Sequence, residues 1–298
     1  MRASASMRRA SALREPLERL YREFDYATRV ERDAIRFPLR YPDPRDRELV
    51  ALLTACLAYG RVDLFSRQLE LVLAIMGPSP AAFVADFDPR RHARAFDDFI
   101  YRFNRPRDLV AFCLAARQVL ERHGTLEKCF VAGDPDERGP IGPAIERFAR
   151  TFLEADLDAV FPRGQRSRGY RHFFPLPSLG GPCKRWHLLL RWLIRREPPD
   201  FGLWPAVSPA RLLIPVDTHI ENMSRSIGLT RQRSRNWRMS EEITARLAAL
   251  DPTDPVKYDF SLCHTRMAGD CRDRRDPVVC PPCGLRVVCR HWKGRRLS

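Results

Sequence analysis

Leu176 to Arg196 reads LPSLGGPCKRWHLLLRWLIRR. Two glycines close a short turn. Behind them Trp186, Leu189, Leu190, Leu193 and Ile194 recur at three- and four-residue intervals. That spacing predicts a helix from about Cys183 to Arg196 with one apolar face. Lys184, Arg191 and Arg195 fall on another face, and Pro198 and Pro199 end the run. Glycine allows close backbone approach, and the first turn of the next helix has N–H groups without an internal partner. Such a turn can hold a phosphate, and it can equally be an ordinary turn.

The same periodicity extends in both directions. Leu13, Leu17, Leu20, Tyr21 and Phe24 have helical spacing, as do Leu49, Leu52, Leu53, Cys56 and Leu57 behind a potential cap at Asp46. Asp63 to Met76 repeats the pattern, Asp108 can cap a helix to His123, and Ile145 to Leu153 is a shorter amphipathic stretch. Past the quoted segment, Asp217 in VDTHI opens a helix stopped by Gly228, Ser240 caps another, and Asp254-Pro255 begins a last one ending near Gly269. No strand pairing and no repeat is visible, so the fold class is all-α.

Among 298 residues, 52 Lys and Arg oppose 37 Asp and Glu, a formal charge of +15 that favours a polyanionic partner such as nucleic acid. Arginine carries nearly all of it, since lysine occurs only at 128, 184, 257 and 293. The longest apolar runs are too short to span a bilayer and the N-terminus has no secretory h-region, so the expected location is cytoplasmic and nucleoid-associated, with no membrane partner. Between Phe161 and Phe174, Arg163, Arg166, Arg168 and Arg171 alternate with aromatics, a pattern that suits nucleic-acid contact or a solvated loop anchored by a few rings.

Near the C-terminus, CRDRRDPVVCPPCGLRVVC places Cys271, Cys280, Cys283 and Cys289 with eight, two and five residues between them. The segment has too few apolar residues for a core of its own, and thiolates are soft ligands. A four-cysteine metal centre therefore accounts for the gathering, and one C-x2-C pair with two outlying cysteines suits a 4Fe–4S cluster better than zinc. Zinc is the alternative. Cys56, Cys113 and Cys263 lie in apolar helical runs and are expected as small core residues.

The order LPSLGG, Lys184, VDTHI with Asp217, and the cysteine loop resembles the helix-hairpin-helix DNA glycosylase superfamily, the endonuclease III branch in particular. The resemblance spans roughly Asp46 to Trp292, with specific motifs only after Leu176. The first cysteine gap, at eight, is longer than that branch's six. The long lysine-to-aspartate interval is closer to the archaeal 8-oxoguanine glycosylases. The resemblance implies two helical domains with a DNA-binding cleft between them and a C-terminal iron–sulfur loop. One domain would cover residues 46–198 and include the hairpin; the other would join 1–45 to 199–298. It implies a monomeric base-excision repair enzyme acting on double-stranded DNA with a damaged base, with or without AP lyase activity. Lys184 would be the nucleophile and Asp217 its partner. Leu176, Gly180, Gly181, Arg185 and Arg191 would contact DNA, and the four cysteines would hold the cluster. Lys257 reads as a solvated charge, His219 as a neighbour able to orient Asp217, and His264 as a packed side chain. His291 and Trp292 read as cover for the cluster. The alternative is a nucleic-acid-binding protein without catalysis, built around a structural metal centre.

Overall fold

A computed structural model of the protein describes residues 2–293. The described residues form helices, turns and one isolated antiparallel bridge between Tyr101 and Asn104, so the chain is all-α. It divides into two compact units. The first comprises residues 1–29, 180–191 and 208–298; the second comprises 30–179 and 192–207. The chain thus passes between units at 29/30, 179/180, 191/192 and 207/208, where the sequence reading placed its boundaries at 45/46 and 198/199. The helix Lys184–Ile194 contributes Lys184 to Arg191 to the first unit and its last three residues to the second.

In the second unit the helix Pro44–Leu57 is buried almost all round. Its cap is Asp43, which accepts from the N–H of Arg45, with Pro44 at the first helical position where its missing N–H is harmless. Asp46, the expected cap, instead accepts from Ser79 Oγ and the N–H of Ala81 at the start of the helix Pro80–Ala85. The helix Pro106–His123 packs against Leu126–Ala132, Gly142–Leu153 and Arg168–Phe173. Around it Phe112, Phe148, Phe152, Phe173, Phe174 and Trp204 form an aromatic core, with Phe152 stacked on Phe174 at 4.8 Å between ring centroids. Each such ring removed from water contributes about 1.5–3 kcal/mol. Glu48 is buried beneath this core. It accepts from the N–H groups of Leu126 and Glu127 and from Trp204 Nε1, which ties the returning segment 192–207 into the unit.

Of the two readings of the segment 161–174, nucleic-acid contact or a loop anchored by a few rings, the buried rings favour the second. Phe161, Tyr170, Phe173 and Phe174 are all core residues. Arg166 donates to the carbonyl of Ala155, and Arg168 lies over the Phe103 ring. Apolar area outweighed the basic spacing, because these rings gain more from the core than from solvent-facing stacking.

In the first unit the helices Thr218–Ile227 and Asp259–Met267 pack together, and Arg2–Glu23 packs against residues 286–288. Gly228, left-handed at φ 75°, stops Thr218–Ile227 as the sequence predicts. The next helix, Trp237–Ala248, is capped by Asn236 rather than by Ser240, one turn earlier than expected. Three ion pairs tie the unit together. Arg191 and Asp259, each 3% exposed, pair in the interior. Lys257 reaches Glu18 at 2.9 Å and Asp251 at 2.8 Å and lies over the Tyr21 and Tyr258 rings. Lys257 is therefore a clamp on the N-terminal helix and not the solvated charge its sequence context implied. Among the described residues no helix is long and apolar enough to cross a membrane.

Candidate active site

Lys184 and Asp217 are brought together within the first unit. Lys184 opens the helix Lys184–Ile194, directly after Cys183, whose backbone is left-handed at φ 43°. Asp217 is the N-cap of Thr218–Ile227 and accepts through Oδ1 from the N–H groups of His219 (2.8 Å) and Ile220 (3.0 Å). Its other oxygen, Oδ2, is 3.1 Å from Lys184 Nζ. One carboxylate thus finishes a helix with one oxygen and faces an amine with the other. The two side chains are 33% and 18% exposed, so both can be reached from solvent.

Burial alone would raise the Asp217 pKa. Lys184, the Ile220 N–H and the nearby His219 outweigh it, and the carboxyl sits below the usual carboxylate range. At neutral pH this is an anion fixed by a helix terminus and aimed at a cation. Cys263, expected in the core, is only half-buried, with Sγ 4.0 Å from Asp217 Oδ2. His219 acts on Asp217 through its backbone N–H.

One turn beyond Lys184, His187 is 1% exposed, and neither ring nitrogen has a hydrogen-bond partner among the described residues. Burial lowers its pKa to about 3, so it is a neutral imidazole. Its ring lies 4.9 Å from that of Trp237, whose backbone N–H donates to the carbonyl of Gly180 at 3.1 Å. The sequence reading passed over His187 and Trp237, because neither stands in a recognisable motif.

The expected DNA contacts separate into two groups. Leu176 is half-buried, while Gly180 is exposed with φ 73°, a value that favours glycine. A Cβ at Gly180 or Gly181 would meet nothing within 4 Å, so the turn has open space beside its backbone. Leu179 at its tip is 80% exposed. Arg185 and Arg191, by contrast, are buried, and the Arg191 guanidinium is committed to Asp259 and lies over the Phe260 ring. Arg191 is corrected from a DNA contact to a core ion pair: helical spacing placed it on a basic face, but that face packs inward.

Sequence reasoning missed an arginine-rich segment, RQRSRNWR from Arg231 to Arg238. Arg235 reaches Thr218 Oγ1 at 2.7 Å and Glu221 at 3.2 Å, on the first turn of the helix that Asp217 caps. The density of arginine was visible in the sequence; its place beside Asp217 was not.

The cysteine loop folds through its own backbone. Asp276 accepts from the N–H groups of Val278 and Val279, and the Asp276 N–H donates to Cys280 Sγ at 3.3 Å. None of the four cysteines is in a disulfide. Burial raises the Cys283 thiol against an opposing N–H from Leu285, and Cys271, Cys289 and Cys280 raise it further, so these three lie within electrostatic reach of Cys283. Among the described residues no three His, Cys, Asp or Glu side chains already form a metal-binding group. In kind, four thiols are soft donors of the type a thiolate-bound metal centre uses. Arg275 and Arg286 lie over the Trp292 ring at 4.6 and 5.3 Å, and His291 contacts Ser226 Oγ. His264 is buried and stacked on Phe260, as its helical position implied.

The family described as "Protein of unknown function (DUF2400)" matches residues 33–268. No curated protein and no solved structure matches the chain.

Proposed function

The chain belongs to the DUF2400 family, and we propose that it is a base-excision DNA glycosylase acting on damaged bases in duplex DNA through Lys184. The observation that carries the reading is the 3.1 Å approach of Lys184 Nζ to Asp217 Oδ2 across 33 residues of chain. An amine and an anionic carboxylate, both reachable and both at helix N-termini beside a glycine turn, are the groups that displacement at a sugar carbon needs. A net charge of +15 supports a polyanionic substrate.

The damaged nucleotide first leaves the base stack, at a cost of a few kcal/mol. A proton passes from Lys184 Nζ to Asp217 Oδ2. The Nζ lone pair then bonds to C1′ as the glycosidic bond breaks and the base departs with that electron pair. The proton on Asp217 passes on to the departing base, and the carboxylate so regenerated offsets the positive charge left on the nitrogen and sugar carbon. Opening of the sugar ring leaves a Schiff base between Lys184 and C1′, from which elimination of the 3′ phosphate can follow. Cys271, Cys280, Cys283 and Cys289 would hold a 4Fe–4S cluster, or zinc in the alternative. When bound it supplies a structural cross-link to a loop that has little core of its own.

Borohydride reduction during incubation with lesion-bearing duplexes tests the reading. A covalent adduct is expected with the unaltered protein and none with Lys184→Gln. No adduct across a broad lesion panel, or an undiminished adduct with Lys184→Gln, removes Lys184 from this role. The second reading is a nucleic-acid-binding protein without catalysis, around a structural metal centre. One observation favours it: Lys184 rests in an ion pair, an arrangement that favours its protonated form. Tight, salt-sensitive binding with no turnover on any lesion would select it.

A further inference from the structure

We propose that the segment Arg231–Arg238 is a phosphate-gripping arm, which holds the duplex backbone beside the Lys184–Asp217 pair through Arg231, Arg233 and Arg238. The proposal rests on the nucleic-acid reading above and adds the element that would grip the backbone.

Four guanidinium groups fall within eight residues, and three of them, on Arg231, Arg233 and Arg238, are exposed without an ion pair or side-chain hydrogen bond among the described residues. Like charges this close repel, and a chain free to do so would interleave acids. The neighbouring acids are already engaged. Glu221 pairs with Arg225 and Arg235, Glu241 accepts from Trp237 Nε1, and Glu242 pairs with Arg246 and accepts from Thr230. The repulsion is therefore left for an external anion to relieve.

The arm is also held in shape. Arg225 donates to the carbonyls of Gln232 (2.9 Å) and Arg233 (2.6 Å), and the N–H of Arg231 donates to Glu242. Asn236 caps the helix that follows. At one point the arm is tied to the helix Thr218–Ile227 through Arg235, and at another to the glycine turn through the Trp237 N–H on the Gly180 carbonyl. Both anchors lead directly to the site, one to the residue after Asp217 and the other to the turn before Lys184. A cationic loop ordered by its own backbone bonds loses little entropy on meeting a charged rod, and its cations are presented at a fixed offset from the amine.

Counterion release provides the test. Each phosphate neutralised on B-form DNA adds roughly 0.9 to the slope of log affinity against log salt. Binding of the full-length protein to a duplex carrying a stable abasic-site analogue is followed by fluorescence anisotropy between low and moderate salt. A variant with Arg231, Arg233 and Arg238 all changed to Gln should bind more weakly and lose about 0.9 of slope for each contact removed. The control changes Arg90, Arg94 and Arg122 to Gln, three exposed arginines of the other unit, and so removes the same charge. Its slope should stay near that of the unaltered protein. An unchanged slope in the arm variant, or an equal fall in the control, overturns the arm. Failure of the broader reading looks different. An unaltered protein that binds no DNA removes both proposals, whereas one that binds through the arm but forms no borohydride adduct removes only the catalytic one.

Discussion

Replacing His187 with leucine removes two ring nitrogens that are buried and without partners among the described residues, one turn from Lys184. The native imidazole is neutral because burial lowers its pKa from 6.5 to about 3. The unfolded chain regains the ordinary value, so between pH 6.5 and 3 the unfolded state binds a proton that the folded state does not. Stability must then fall as pH drops through that window. One pKa unit corresponds to about 1.4 kcal/mol, so from pH 7 to pH 5 this single group should remove about 2 kcal/mol. In His187→Leu that slope is absent, and at pH 7 the variant should be as stable as the native chain or more so, because an unsatisfied buried polar group costs about 1–3 kcal/mol. Urea unfolding of both proteins at half-unit steps from pH 7.5 to 5 measures the difference. Parallel stability curves for the two proteins would refute the reasoning, since they would mean that the ring is solvated or hydrogen-bonded in solution.

Breaking the interior pair with Arg191→Met should cost about 3–5 kcal/mol in urea unfolding, and adding Asp259→Leu should recover most of it, because the loss is chiefly that of stranding a buried charge. Lys257→Met should cost about 1–3 kcal/mol near neutrality. Burial opposes each charge in that clamp, yet Lys257 is raised by its bonds to Asp251 and Glu18, and the two carboxyls are lowered by theirs to Lys257 and its neighbours. Lowered carboxyls stabilise above their unfolded pKa of about 4, and that stability disappears as pH falls below it. The acid limb of a pH–stability curve should therefore be shallower in Lys257→Met than in the native protein. Metal analysis of purified protein should find iron with acid-labile sulfide, lost in Cys283→Ser. Zinc without iron would select the alternative centre, and a metal content unaffected by the substitution would exclude Cys283 as a ligand.

Several elements were legible before any coordinates. Asp217 and Gly228 bracket their helix in the structure as they do in the sequence, since capping chemistry is local. The apolar stripe of Leu176–Arg196 also identified its helix, although the observed bounds are Lys184–Ile194. Local signals failed where two capping residues competed for one helix start. Asp43, adjacent to Pro44, took the cap that Asp46 was expected to fill, and Asn236 took the one assigned to Ser240. They failed more seriously for arginine. A basic residue at helical spacing reads as surface, yet Arg191 finds Asp259 68 residues away in the interior, while the exposed cations lie in a segment with no periodicity.

By itself the sequence determined the all-helical class and the positions of turns and most stops. Each depends on neighbours within a few residues, where backbone hydrogen bonding and steric preference act. Tertiary structure alone decided that the lysine amine and the aspartate carboxylate meet at 3.1 Å, that the aromatics of 161–174 face the core, and that Arg231–Arg238 is anchored beside the pair. These depend on contacts between residues distant along the chain, whose free energy is set by which surfaces leave water together, and no spacing rule encodes that choice.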